Sequence, residues 1–260
     1  MVSEFLGIYI KTFNDGGFQF CQTEFFRKVL ESTGMDHCNG FPTPTKAEAP
    51  IGTDTNGSEA KRGWPNSYAS VIGMMLYLES NTRPYITFSV HQCAWFIHNT
   101  KASHETFVKR MCRYLQSTKD NDLVFNPSKK PVVDFYDDAD FAGLWRHEDS
   151  QDPICDRSRT VFVVTFDNCP LLWVSKLQTY TALSTLHYEY VSLSHSVRAL
   201  LPLKSLIKEV IDNLVIDSEK LICFSSSTIY EDNNRAIVVS TSPRMTPTSK
   251  NIAVNYHWFR

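Results

Sequence analysis

Apolar residues recur at helical spacing through much of the first half of the chain. Four segments, residues 22–33, 66–79, 85–98 and 104–117, place them every three or four positions, which predicts amphipathic helices. Before these segments, apolar runs at Phe5–Ile10 and Phe18–Phe20 flank the turn sequence Asn14–Gly17. Asn, Asp and Gly in such a turn predict a β-hairpin. The first half is therefore expected to be mainly helical after an N-terminal hairpin.

The second half mixes strand and helix patterns. Strands are predicted at 131–137, 160–166, 171–175 and 221–230. Helices are predicted at 184–198, 202–214 and 234–240. This order is typical of an α/β layer architecture. We predict one unit over residues 1–126 and a second over 131–260. Residues 40–66 are rich in proline, glycine and polar residues and are predicted to form a surface linker.

Composition limits the possible partners and compartments. The net charge of the 260 residues is -2 and the pI is about 6.4, so a nucleic-acid partner would need a local basic surface. Seven cysteines contain no C-x-x-C pair, which favours reduced thiols in an intracellular protein. No stretch reaches transmembrane length, and the start has no secretory pattern. We expect an intracellular protein without a membrane partner.

Three acidic residues lie in different settings. Asp138 follows an apolar run, Glu189 lies in an amphipathic segment, and Asp232 closes a second apolar run. Carboxylates at strand ends and on a facing helix can share a hard cation such as Mg²⁺, which takes oxygen ligands. Two such ions about 4 Å apart can stabilise both the attacking and the leaving oxygen in phosphodiester cleavage. The alternative is that all three are simply solvated, as most acidic residues are.

A set of short sequence blocks, in a fixed order, resembles the copia-type LTR-retrotransposon polyproteins. The blocks are Phe5–Ile8, Tyr68–Gly73, Leu76–Leu78, Thr82–Pro84, Arg113–Leu115, Thr118–Asp120, Asp138–Gly143, Ser158–Thr160, Trp173–Gln178, Ala182–Thr185, Glu231–Asn233 and Tyr256–Arg260. The resemblance covers nearly the whole chain. It assigns residues 1–126 to the end of a reverse transcriptase, with a thumb or connection-like region, and residues 131–260 to a ribonuclease H domain.

This resemblance implies a fold, a cofactor and a set of site residues. The expected fold is a ribonuclease H-like mixed sheet with helices packed on it. Asp138, Glu189 and Asp232 match the family's metal-binding carboxylates, which implies Mg²⁺ or Mn²⁺ as cofactor and an RNA–DNA hybrid as substrate. Arg159 and Lys176 flank this site in the sequence and are candidates for binding the substrate.

Two basic residues of the helical segment 104–117 are further candidates. Lys109 and Arg113 lie off its apolar face and could follow a phosphate backbone. A solvated helix face explains them equally well.

Four departures from the family pattern bear on activity. The polymerase signature Tyr-x-Asp-Asp is absent at the expected spacing, so polymerase activity is not expected. The chain ends at Arg260, before the segment that carries the family's fourth aspartate, so we expect a C-terminally truncated domain. Tyr188 replaces a small residue before Glu189. Val161 stands where the family has glycine.

Two functions remain open at this point. The first is a metal-dependent ribonuclease H module, belonging to a longer polyprotein if the chain is part of one. The second is a non-catalytic retroelement remnant with a structural or weak nucleic-acid-binding role. The departures lead us to expect little hybrid-cleaving activity from this chain alone.

Overall fold

The chain forms two compact units, residues 1–126 and 127–260. The computed structural model describes residues 3–45, 51–52, 54, 57–58, 67–126, 132–143, 156–182, 184–213 and 227–242. The predicted Tyr256–Arg260 block, most of the predicted linker and the start of the predicted 221–230 strand lie outside the described residues. The described part has the mixed α/β architecture that the sequence predicts.

A four-stranded antiparallel sheet opens the first unit. Its strands are β1 (Glu4–Phe5), β2 (Ile8–Thr12), β3 (Phe18–Cys21) and β4 (Leu123–Phe125), in that order across the sheet. The predicted hairpin joins β2 and β3. The Phe13 N–H donates to the Gly17 carbonyl, and the Gly17 N–H donates to Asp15 Oδ1. The sequence patterns did not predict β4, which is only three residues long.

Four α-helices build the hydrophobic core of the first unit. They are α1 (Thr23–Thr33), α2 (Tyr68–Asn81), α3 (Thr87–Ala94) and α4 (Ala102–Ser117), with a 3-10 turn at Pro84–Ile86. Their buried apolar faces form one cluster centred on Val71, Ile72, Met75, Val108 and Leu115. The helical spacing in the sequence therefore identified the faces that pack together.

Part of the predicted linker packs against this helical core. Ile51 is buried in the core cluster. The Gly52 carbonyl lies 3.0 Å from Nε2 of His104, and Asp54 accepts a hydrogen bond from the hydroxyl of Ser103. The described residues of this segment thus lie along α4 without forming a helix or strand.

The second unit contains a mixed four-stranded sheet. Its strands are β5 (Val133–Asp140), β6 (Arg159–Phe166), β7 (Cys169–Leu177) and β8 (Thr228–Tyr230), in the order β7-β6-β5-β8. The β7-β6-β5 pairs are antiparallel, whereas β5 and β8 are parallel. Alternate residues of β5, from Val133 to Ala139, are buried.

Two helices accompany this sheet, and one of them corrects a prediction. Helix α5 (Thr185–Asn213) packs on β5 and β6, and α6 (Asn234–Thr241) packs on α5. We predicted two helices, 184–198 and 202–214, but α5 is one helix that runs through Pro202. Leu200 lies before the proline, whereas Leu203 and Ile207 lie after it. All three pack in the same core cluster against the sheet. That shared packing holds both segments in line despite the cost of an internal proline.

Among the described helices, none combines the length and the apolar character needed to cross a membrane.

Candidate metal centre

Three secondary-structure elements bring the acidic residues Asp138, Glu189 and Asp232 to one place. Asp138 lies near the end of β5, Asp232 follows β8, and Glu189 lies near the start of α5. Because β5 and β8 are parallel neighbours, their C-terminal ends lie at the same edge of the sheet. One carboxylate oxygen from each of the three residues lies within 4.8 Å of the other two.

A hydrogen-bonded cap sets the start of α5 near this edge of the sheet. The hydroxyl of Ser184 accepts a hydrogen bond from the His187 N–H, at 3.2 Å, as an N-cap serine does. Helix α6 begins similarly after Asp232, where the side chain of Asn233 accepts from the N–H groups of Arg235 and Ala236. These caps fix the chain direction on either side of the acidic cluster.

Burial and mutual repulsion dominate the electrostatics of the three carboxylates. Glu189 is only 5% exposed, and burial raises its pKa to about 8, with the charges of Glu231, Asp138 and Asp232 adding to the effect. Its buried Oε2 atom makes no hydrogen bond with a described residue. A bound cation would reduce the repulsion among the three carboxylates and would give Oε2 of Glu189 a partner.

The donor set fits a hard divalent cation. All three groups offer carboxylate oxygens, which suit Mg²⁺ and Mn²⁺. Asp138 and Asp232 are exposed, whereas Glu189 is buried, so a cation could enter from solvent and bind the buried carboxylate. Binding of a metal by these residues stays a prediction.

A second pair of carboxyl groups lies directly behind the first three. Asp137 is 5% exposed. Burial raises its pKa to about 8, the charge of Glu231 raises it further, and hydrogen bonds from Ser196 and Ser192 oppose the shift. The pKa of Glu231 is raised as well, mainly by burial. The two carboxyl groups are therefore close enough for the charge of Glu231 to act on Asp137.

Sequence reasoning missed this second pair of acids. Asp137 and Glu231 each sit next to a predicted ligand, and we singled out only the ligands. The signal was the alternation in β5: since Val133 and Phe135 face the core, Asp137 at the next alternate position must be buried too. A buried acid with no basic neighbour in sequence indicates a hydrogen-bonded site.

Tyr188 forms part of the wall of the centre. It is 8% exposed, stacks on Phe141 and packs with Ala139 and Ala182. Its pKa is raised, first by burial and then by the charge of Glu189. Tyr188 therefore fills the space beside Glu189 without displacing it from the other two carboxylates.

The predicted substrate-binding residues of the second unit differ in exposure. The guanidinium of Arg159 lies 3.2 Å from the Ser175 carbonyl, to which it donates. Arg159 is 3% exposed, and burial lowers its pKa to about 10, opposed by Asp140. Arg159 therefore places a buried positive charge near the site and does not present its guanidinium to solvent. Lys176, on the neighbouring strand β7, is exposed.

Lys109 and Arg113 belong to α4 of the first unit. Lys109 is exposed. Arg113 donates from Nε to the Asn39 carbonyl at 2.9 Å, and its guanidinium lies 5.0 Å from the centre of the Phe41 ring. Arg110 lies over the same ring at 4.0 Å. These contacts give Arg113 a structural role, holding residues 39–41 against α4.

Several known proteins are similar to this chain. It is 29% identical over 246 residues to the retrovirus-related Pol polyprotein from transposon TNT 1-94 of Nicotiana tabacum, a match covering 92% of this chain and 17% of that protein. It is 27% identical over 256 residues to the corresponding polyprotein from transposon RE2 of Arabidopsis thaliana, covering 98% of this chain and 16% of that protein. The chain thus spans about one sixth of the length of these relatives.

A shorter relative is matched over most of its own length. The chain is 31% identical over 131 residues to secreted RxLR effector protein 161 of Plasmopara viticola, covering 50% of this chain and 87% of that protein. No protein-family model matches the chain, and no solved structure matches it. The chain is thus similar over nearly its whole length to retrovirus-related Pol polyproteins from plant transposons, consistent with a fragment of a copia-type polyprotein.

Proposed function

We propose, despite the low activity that the departures from the family pattern predict for this chain alone, that the second unit is a ribonuclease H-like nuclease module of retroelement origin. It would hydrolyse the RNA strand of an RNA–DNA hybrid with the help of Mg²⁺ or Mn²⁺. The observation that carries this proposal is the convergence of Asp138, Glu189 and Asp232 to within 4.8 Å. The mixed sheet with α5 packed on it and the similarity of the chain to transposon Pol polyproteins support it.

The roles of the residues follow from their positions. Asp138, Glu189 and Asp232 would hold the metal, which when bound activates water and stabilises the leaving 3′-oxygen. The buried carboxylate of Glu189 would anchor the inner side of the centre, and the two exposed aspartates would face the substrate. Tyr188 and Phe141 would exclude water from the inner wall, since their stacked rings cover it.

Substrate contact would come mainly from exposed basic side chains. Lys176 lies on β7 and would bind a phosphate of the hybrid, and Lys109 would do so in the first unit. Arg159 would act through its buried charge beside Asp140, and Arg113 is mostly committed to residues 39–41. A longer polyprotein, where this chain is part of one, would supply the remaining partners.

The proposal is tested by metal binding and hybrid cleavage in the same samples. Purified protein is titrated with Mn²⁺ by calorimetry and incubated with an RNA–DNA hybrid labelled on the RNA strand. Asp138→Asn and Glu189→Gln should abolish both signals. Asp134→Asn is the matched control, because it makes the same substitution on the same strand outside the cluster. Cleavage that survives Asp138→Asn indicates a contaminating nuclease and removes the support.

A second candidate function is a non-catalytic retroelement remnant. The observation that favours it is Tyr188, whose phenol interacts with the carboxylate of Glu189 at the centre of the site. A hydrogen bond to that carboxylate competes with a cation for the same oxygens. This candidate predicts weak Mn²⁺ binding with little or no hybrid cleavage, whereas the nuclease proposal requires both.

A further inference from the structure

Two serine hydroxyls join α5 to β5 immediately behind the metal centre. The hydroxyl of Ser192 donates to Asp137 Oδ1 at 3.0 Å and to the backbone carbonyl of Asp138 at 2.9 Å. The hydroxyl of Ser196 donates to the same Oδ1 of Asp137. Both serines are fully buried, so water does not compete for these hydrogen bonds.

Helix geometry connects the serines to Glu189. Ser192 and Ser196 follow Glu189 by three and seven positions, and residues at these spacings share one face of an α-helix. The face of α5 that presents Glu189 to the metal centre is therefore the face that is hydrogen-bonded to β5. Any sliding or rotation of α5 that moved Glu189 away from Asp138 would break these bonds.

The two serines differ in one respect. Both bind the side chain of Asp137, but only Ser192 also reaches the backbone of Asp138, the residue that carries a predicted ligand. A contact to the backbone of Asp138 restrains the point from which its side chain projects. Ser196 restrains only the neighbouring residue.

We propose that Ser192 is a positioning residue of the metal centre, which fixes Glu189 relative to Asp138 through its bond to the Asp138 carbonyl. The inference rests on the proposed metal centre and goes beyond it, because it assigns metal affinity to a residue that cannot bind the metal itself. Partners that orient metal ligands commonly change metal affinity by about 10- to 100-fold when removed. Ser196, by contrast, contributes to stability.

The test compares Ser192→Ala with Ser196→Ala. Both variants remove one buried hydroxyl from Asp137 Oδ1, so both should lower the melting temperature by similar amounts. Only Ser192→Ala should weaken Mn²⁺ binding by about tenfold or more, measured by calorimetry. Ser205→Ala is the control on the same helix, because Ser205 is exposed and its hydroxyl bonds only to the Leu201 carbonyl within the helix. Ser192→Cys, nearly the same size with a weak donor, replaces Ser192→Ala if that variant does not fold.

A second measurement tests the positioning role of Ser192 in the absence of metal. Amide hydrogen exchange is followed by mass spectrometry in peptides containing residues 137–139. Faster exchange in the Ser192 variant than in Ser196→Ala supports the positioning role. Equal exchange, or equal Mn²⁺ affinity in the two variants, overturns it. If the wild-type protein and all variants fail to bind Mn²⁺, the metal centre itself is wrong and the positioning role falls with it. If Mn²⁺ binds and only cleavage is missing, the nuclease function alone is lost.

Discussion

The ring of Tyr188 stacks on the ring of Phe141, with centroids 5.1 Å apart and the planes inclined by 21°. Phe141 directly follows β5, and Tyr188 lies in the first turn of α5. The stack therefore fixes the start of the helix to the end of the strand, beside the carboxylates of Asp138 and Glu189. Tyr188, one of the departures from the family pattern, thus contributes to the packing of the site.

This stack predicts different effects for two substitutions of Tyr188. Tyr188→Ala should lower the free energy of unfolding by about 3 kcal/mol, because it removes a buried aromatic side chain. Tyr188→Phe keeps the ring and should cost less than about 1.5 kcal/mol. Urea unfolding at neutral pH measures both, and Tyr180→Ala, at a tyrosine that is 62% exposed, is the control. Equal losses for Ala and Phe would show that the hydroxyl, not the stack, stabilises this region.

The carboxylate cluster predicts stabilisation by divalent cations. A cation that binds only the folded state adds about 1.4 kcal/mol when its free concentration is ten times Kd. The melting temperature of the wild-type protein should therefore rise with Mn²⁺, and that of Asp138→Asn should not. In the absence of metal we expect Asp138→Asn to be at least as stable as the wild type, because the charge of Asp138 raises the pKa of Glu189. An equal rise in both proteins would place the bound cation elsewhere.

The buried acid Asp137 predicts a stability that falls as the pH rises. Its folded-state pKa is raised from 3.8 to about 8, mainly by burial. Between these values the folded state retains a proton that the unfolded state has lost, so folding is favoured at low pH and this contribution disappears as the pH rises through 8. Glu189, with a pKa near 8 as well, acts in the same direction.

Asp137→Asn separates this effect from the general pH response of the protein. Asparagine keeps an acceptor for Ser192 and Ser196, can donate to Glu231, and does not titrate. The free energy of unfolding from urea titrations at pH 5, 6, 7, 8 and 9 should decline less steeply in Asp137→Asn than in the wild type. The same slope in both proteins would mean that Asp137 is ionised in the folded state across this range.

Local sequence patterns predicted the elements whose signals are local. The Asn14–Gly17 turn predicted the hairpin because its residues tolerate the backbone angles of a tight turn, and helical spacing predicted the buried faces of α1, α2 and α4. Helix α4 starts at Ala102, two residues before the predicted segment 104–117, and the hydroxyl of Ser103 donates to Asp54. A local sequence pattern does not show that a distant residue such as Asp54 takes up the hydroxyl of Ser103.

Long-range contacts explain the other differences. Pro202 is a helix-breaking signal, but packing against the sheet overrides it. Strand β4 is short and depends on pairing with β3, about 100 residues earlier in the chain. The Asp137–Glu231 pair required knowledge that β5 and β8 are neighbours, which no spacing in the sequence encodes. The three predicted ligands, by contrast, were singled out by their positions in and beside apolar segments, and the family resemblance, which carries such long-range information, assigned them to one site.

The hydrogen bonds of Arg83 in the first unit predict a large loss of stability when this residue is replaced. It is 4% exposed, and its guanidinium donates to the carbonyls of Thr118, Lys119 and Asn121, closing the turn between α4 and β4. Burial lowers its pKa, and Asp122, 3.5 Å away, opposes the shift. Lysine keeps the charge but lacks the planar fork that reaches several carbonyls at once.

Arg83→Lys should therefore lower the free energy of unfolding by about 3 kcal/mol, because it leaves buried carbonyls unpaired and a buried charge poorly solvated. Arg27→Lys is the control, since Arg27 is exposed and its ion pairs among the described residues are with Glu24 and Glu31 on its own helix. That pairing should be worth less than about 0.5 kcal/mol. Urea unfolding of the two variants measures the difference. Equal and small losses would mean that water replaces the guanidinium in the turn, and that the Arg83 hydrogen bonds do not determine the position of β4 against β3.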